Sequence, residues 1–310
     1  MRHYLKTFLF LLFFAMVISP AFPSKEIRLL NIGNSFTWSL APYLGEMVKH
    51  EGKHTLIHKQ CSVGGCELSR HWRYVEEFEK EGKRAYSWVR DEEGKEIFIS
   101  LKEALGETAW DVVTVQQASH ESWRPECYEP WGEKLVGYVR QHAPQAQVMV
   151  QQTWAYRTDA PRLVEWKLSQ EEMYHRLWLA YEAFSAKLEL PLIPVGEAIQ
   201  LARVLQKGVF VHYDWKEAEK LTYPQVPDQS WSFINGFFWH TNEKGERVPL
   251  NDTIHLNARG RYLQALVWYG MLFGEEPTQV TYLPKEIEAE DGAFLRQVAS
   301  LVLRKRPVRH

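Results

Sequence analysis

The stretch that most constrains this chain is residues 28–38, Arg-Leu-Leu-Asn-Ile-Gly-Asn-Ser-Phe-Thr-Trp. A short apolar run from Ile27 to Ile32 ends in Gly33-Asn34-Ser35, and a helical pattern begins near Leu40. Strand, tight turn and helix in that order lift a small side chain to the C-terminal edge of a parallel sheet, where α/β proteins keep their ligands. Ser35 would there present its Oγ and a backbone N–H on the same side, which is what a nucleophile requires once a base is supplied from elsewhere. By default, a Ser in a Gly-containing turn is a turn residue or a helix cap. The rest of the chain decides whether Ser35 does chemistry.

Downstream, the period of the hydrophobic pattern alternates between two and about 3.6 residues. Residues 54–60, 111–115, 147–150 and 192–195 read as strands, and 67–80, 129–142 and about 165–187 as helices, with residues 251–260 leading into another that runs through about 273. The predicted fold class is α/β: a doubly wound three-layer sandwich around a mostly parallel five-stranded sheet. Residues 81–100 read as a hairpin insertion around Asp91-Glu92-Glu93-Gly94. From 207 to 250 the rhythm breaks into an aromatic, turn-rich segment that includes Trp215, Trp231, Phe238 and Trp239. Long irregular segments of this kind are usually lids or binding loops, with a small satellite core as the alternative. One domain over 25–275 and a C-terminal extension over 276–310, with a packing helix near 291–304, account for the remainder.

Composition narrows the function classes. With 45% hydrophobic residues and 13 Trp in 310 residues, a sizeable core can be buried. A net charge of −2 provides no electrostatic footprint for nucleic acid. Residues 1–24 read as a cleaved secretory leader, with Arg2 and Lys6 ahead of an apolar run over 8–18 and small residues at Ser19-Pro20-Ala21. That run is too short for a permanent membrane span. The mature protein is therefore expected to be secreted or periplasmic, without an integral span. Three cysteines, Cys61, Cys66 and Cys127, are too few for a disulfide framework. A Cys61–Cys66 bridge is open in an oxidising compartment, although free buried cysteines are common. Neither Cys-x-x-Cys nor His-Glu-x-x-His occurs, so no metal is expected.

Asp252 and His255 stand three residues apart just before a helical pattern. On one turn that spacing lets a carboxylate reach the imidazole Nδ1–H, fix the tautomer and leave Nε2 facing outward. Three further polar clusters close strands: Ser62-Val63-Gly64-Gly65 after the second, Gln116-Gln117-Ala118-Ser119-His120 after the third, and Gln151-Gln152-Thr153-Trp154 after the fourth.

Taken together, these blocks resemble the SGNH (GDSL-type) esterases and lipases. Gly33-Asn34-Ser35 looks like their first block, with Asn34 where Asp is usual. Ser62-Val63-Gly64-Gly65 is similar to the second, and residues 252–260 resemble the fifth, Asp-x-x-His-x-Asn-x-x-Gly. The likeness runs from about Ile27 to Phe273 and includes a branch of uncharacterised exported bacterial proteins whose third strand ends in Gln. It implies catalytic Ser35, His255 and Asp252. It also implies an oxyanion hole from the Ser35 and Gly65 N–H groups and a third donor. The third block departs from the usual Gly-x-Asn-Asp, so that donor is expected from Gln117, then Gln116, then His120. Side chains alternate along a strand, so only one glutamine can face the site.

Asn34, Trp38, Trp154 and Trp239 are expected to contact substrate. The resemblance implies no cofactor and allows an acetylated oligo- or polysaccharide as partner, which makes O-deacetylation of a glycan the leading expectation. A lipase or lysophospholipase, acyl transfer with the same triad, and a glycan-binding protein that has lost catalysis are the rivals.

Overall fold

The computed structural model describes residues 24–90 and 94–305. The leader read over 1–24 therefore lies outside the described residues, apart from its last position.

β1 (Glu26–Gly33) passes through the short α1 (Ser35–Trp38) into α2 (Ala41–Glu51) and β2 (Thr55–Ser62). Next come α3 (Leu68–Glu81), a hairpin of β3 (Tyr86–Arg90) and β4 (Glu96–Ile99), α4 (Leu101–Gly106) and β5 (Val112–Val115). The alternation continues through α5 (Trp131–His142), β6 (Gln147–Gln151), α6 (Pro161–Trp166), α7 (Gln170–Leu188), β7 (Leu192–Ile193) and α8 (Val195–Leu205). α9 (Trp215–Ala218), a ribbon of β8 (Ile234–Thr241) and β9 (Arg247–Leu256), α10 (Ala258–Phe273) and α11 (Ala289–Arg304) complete the chain.

The central sheet has the order β2-β1-β5-β6-β7, with every pair parallel. β1 and β5 are buried on both faces, as expected of inner parallel strands covered by helices. α2, α8, α10 and α11 pack together, while α3, α4 and α5 form a second group against which α7 sets Phe184. After β1 the chain builds outward to β2, then crosses back to start β5 on the other side. That reversal opens a crevice at the C-terminal end of β1, where doubly wound sheets bind ligands. Ser35 begins there.

α10 is buried on every side from Tyr262 to Phe273 and forms the spine of its layer. α11 lies close against it, since a Cβ on Gly270 would fall 2.4 Å from Leu303 Cδ1. Among the described residues, no helix is long and apolar enough to cross a membrane.

Three local expectations change. The helix read over 165–187 is two helices, because Lys167 closes α6 with φ 55° and Ser169 then caps α7 through the Glu172 N–H. The last sheet strand stops at Ile193, because Pro194 has no N–H to give the ladder and opens α8. The aromatic segment is not irregular throughout. Its second half pairs as the β8–β9 ribbon, a pattern hidden in the sequence by Gly236 and Pro249.

Candidate active site

Gly33 is required by close approach: a Cβ there would sit 2.2 Å from Thr37 Oγ1. Its carbonyl accepts from His71 Nε2 at 3.0 Å, and His71 Nδ1 accepts from the Tyr86 hydroxyl at 2.8 Å. Both contacts are buried, which anchors the turn to α3 and the hairpin. Asn34 then caps α1, with Oδ1 accepting the Phe36 N–H at 3.1 Å. The same oxygen accepts Gln116 Nε2 at 2.6 Å, and Asn34 Nδ2 donates to Cys66 O at 3.0 Å. One side chain thus ties the turn after β1 to the segments after β2 and β5.

Burial pulls the His71 imidazole down to about 4. A neutral folded-state histidine contributes stability that is complete above the unfolded value near 6.5 and is lost as pH falls toward about 4, worth up to about 3 kcal/mol. Urea midpoints at pH 7 and pH 4.5 should therefore differ, and His71→Gln should flatten that difference. An unchanged slope would remove His71 from the acid response.

Asp252 and His255 do not lie on a helical turn. They sit where β9 bulges: Ile234 pairs with Leu256 but Gly236 pairs with Asp252, so residues 253–255 loop out opposite Asn235. Gly236 adopts φ 89°, a backbone state that suits glycine at such a bulge. Asp252 Oδ1 shapes the loop by accepting the N–H groups of Ile254 and His255, both at 3.1 Å. Asp252 Oδ2 accepts His255 Nδ1–H at 2.9 Å and Asn235 Nδ2 at 3.1 Å. His255 Nε2 faces Ser35 Oγ at 2.8 Å. Burial alone would raise the Asp252 carboxyl. The hydrogen bonds and charge of His255, with the Asn235 amide, more than reverse that and hold it well below the usual carboxylate range.

The loop after β2 turns on the Cys66 N–H donating to Val63 O, with Gly65 at φ 60°. It borders α1, since a Cβ on Gly64 would lie 3.6 Å from the Trp38 ring. Cys61 and Cys66 are free, buried thiols, so no bridge joins them.

Neither glutamine after β5 is placed as expected. Gln117 Nε2 donates to Cys127 O at 2.9 Å, and its Oε1 accepts the N–H groups of Leu68 and Ala118 at 3.1 and 2.8 Å. Its carboxamide is spent on holding the start of α3 against the following loop. Gln116 donates to Asn34 and accepts from Gln151 Nε2, whose Oε1 takes Trp268 Nε1 at 2.8 Å. His120 Nε2 pairs with Glu67 at 3.0 Å.

Replacing Gln117 by Ala would strand two buried N–H groups and a carbonyl, each costing roughly 1–3 kcal/mol. The expected result is a marked drop in melting temperature. A hundredfold loss of kcat at unchanged stability would restore the oxyanion role.

The expected substrate contacts also divide. Trp38 is 48% exposed beside Ser35 and lines the cleft. Asn34 is 1% exposed and fully engaged in the turn. Trp154 is buried: it stacks on Phe36 at 4.2 Å and donates Nε1–H to Ile254 O at 2.8 Å. Phe36 in turn meets His255 edge-on at 5.4 Å, so Trp154 supports the imidazole from below. Trp239 belongs to a satellite cluster with Phe237 and Tyr223, its Nε1–H on Gln225 O at 2.7 Å. Its neighbour Phe238 points the other way and lines the cleft, as strand alternation requires.

The cleft measures about 580 Å³ and holds Ser35, Asp252 and His255 with Trp38, Asn235, Phe238 and Arg261 on its walls. Asn235 and Arg261 are not singled out by the sequence, and Phe238 stands there only as one of the aromatics of the 207–250 segment. Arg261 directly follows the Asp-x-x-His-x-Asn-x-x-Gly block, and that adjacency was the available signal.

No curated protein matches the chain. Among solved structures it is similar to a DUF4886 family protein from Bacteroides uniformis, at 26% identity and TM-score 0.68, covering 92% of this chain and 97% of that one. A candidate SGNH hydrolase from Slackia heliotrinireducens is 21% identical with TM-score 0.46, over 78% of this chain and 96% of its own. An acetyl xylan esterase, AlAXEase, is 12% identical with TM-score 0.45, over 79% and 100% respectively. The last two likenesses are too distant to bear on activity. Residues 28–218 match the domain of unknown function DUF4886, and the chain belongs to that family.

Proposed function

We propose that this chain is an SGNH-type serine esterase whose substrate is an O-acetylated glycan. The observation that carries the reading is the hydrogen-bonded series Ser35–His255–Asp252 opening onto a cleft. In this reading His255 Nε2 takes the Ser35 proton while Oγ attacks the ester carbonyl. The tetrahedral oxyanion is met by the backbone N–H groups of Ser35 and Gly65, each worth roughly 3 kcal/mol. Asp252 stabilises the imidazolium, which then protonates the leaving sugar hydroxyl. Water, deprotonated by His255, attacks the acetyl-enzyme and releases acetate. Both steps are complete without a cofactor.

Trp38 and Phe238 present flat apolar faces to the cleft, which suits sugar rings. The leader read over 1–24 makes the enzyme an exported one, acting on glycans outside the cytoplasm. The engagement of Gln116 and Gln117 elsewhere favours one rival, a glycan-binding protein with catalysis lost.

Acetate release from acetylated xylan and pectin by the wild type and by Ser35→Ala separates the readings. Ser35-dependent release from a polysaccharide is expected. Binding without release would support the binding protein, and release from long-chain acyl esters alone would support a lipase.

A further inference from the structure

The two formal charges on the cleft wall, Asp252 and Arg261, are not paired with each other. Asp252 spends its negative charge on His255, with the Asn235 amide and two backbone N–H groups completing its shell. Arg261, on the first turn of α10, lines the same cleft. Its Nε–H is held by Leu256 O at 2.9 Å, which fixes the plane of the guanidinium.

Two other arginines contrast with it. Arg259 is clamped by both oxygens of Asp291 at 2.7 and 2.8 Å, and Arg70 pairs with Glu67 at 2.9 Å. Among the described residues, Arg261 has no carboxylate within 4.0 Å, and its Nη1 and Nη2 meet no protein acceptor at hydrogen-bond distance. The nearby Tyr43 phenol feels both Arg261 and Glu286, an exposed carboxylate to which Arg261 is not paired. The cleft wall therefore carries an oriented, half-buried cation with its two-pronged edge unused. Such an edge matches a carboxylate by two parallel hydrogen bonds. It shares the wall with two exposed aromatic rings, Trp38 and Phe238.

We infer that Arg261 is a specificity-determining residue that selects an ester substrate carrying a carboxylate, so that the glycan is built of uronic acids rather than neutral sugars. This rests on the esterase reading for the ester but not for the charge, and binding alone can test it. The ring stacks on the aromatic wall, and its carboxylate meets the Nη1/Nη2 edge.

The test uses O-acetylated oligogalacturonates with free carboxylates and the same oligomers with every carboxylate methyl-esterified. Calorimetric binding is measured on Ser35→Ala protein, with and without Arg261→Gln or Arg261→Lys, and acetate release on the Ser35-containing counterparts. The acid form is expected to bind about tenfold tighter than the methyl ester, a ratio that narrows when salt is raised from ~0.05 to ~0.5 M. Arg261→Gln should bring the two forms within about twofold through KM rather than kcat, and Arg261→Lys should restore part of the preference.

Equal binding of both forms, a preference that survives Arg261→Gln in protein of unchanged melting temperature, or stronger binding of a lysophospholipid would overturn the inference. Charge-dependent binding without acetate release would keep it and sink the esterase reading. Ser35-dependent release at equal rates from both forms would do the reverse.

Discussion

Replacing Ser35 by Ala is expected to lower kcat for ester hydrolysis by about 10⁵-fold while moving the melting temperature by less than about 2 °C. The Ser35 hydroxyl is only part-buried, and its hydrogen bond is to His255. Its loss therefore opens no apolar cavity and strands no backbone group. What disappears is the atom that would become acylated. His255→Ala should cost a similar factor, and the double variant little more, because a nucleophile and its base act as one unit. Initial rates on a chromogenic acetate ester, with thermal melts of each variant, check this. A melting temperature lowered by many degrees, with residual activity, would mean that the contact is architectural.

Asp252→Asn should reduce kcat by about 10⁴-fold, for a reason visible in its surroundings. Oδ2 faces two donors, His255 Nδ1–H and the Asn235 amide, while Oδ1 accepts two backbone N–H groups. An Asn must place its NH₂ at one of these positions. Facing His255, it forces the imidazole to accept at Nδ1, so Nε2 carries the proton and cannot take one from Ser35.

The same substitution changes the response to acid. The Asp252 carboxyl is held well below its ordinary range, so it contributes stability that is complete above about 4 and is lost as pH falls through its lowered folded value. Asp252→Asn should therefore unfold less steeply than the wild type between about pH 4 and pH 2. Parallel acid-unfolding curves would show that the carboxylate makes no net contribution. Retained kcat in Asp252→Asn would leave His255 to act without an orienting anion.

Much of this was legible in the chain because the signals are local. Apolar runs at residues 27–32, 111–115 and 147–150, each followed by a helical period, determine parallel strands with helical crossovers, whatever the rest of the chain does. Gly33-Asn34-Ser35 likewise marks its turn by residue type, whereas Asp252-Thr253-Ile254-His255, which reads as one turn before a helix, lies in a bulge of β9. The structure joins the two ends, 220 positions apart, in one series of hydrogen bonds.

Tertiary structure decided what each polar side chain at the strand ends does. Asn34, Gln116 and Gln117 carry the same amide chemistry as an oxyanion donor, but each is engaged by partners from segments distant in sequence: Cys66, Gln151 and Leu68. Trp154 and Trp239 are buried or turned aside for the same reason, while Phe238 takes the cleft face. A buried amide or indole must satisfy its polar atoms wherever packing leaves it, and packing is set by the whole chain. The alternation of strands and helices along the chain and the identity of the turn after β1 were therefore written in the sequence itself. Which side chains remained free for a ligand, with Arg261 the clearest case, followed only from what the folded neighbours had already claimed.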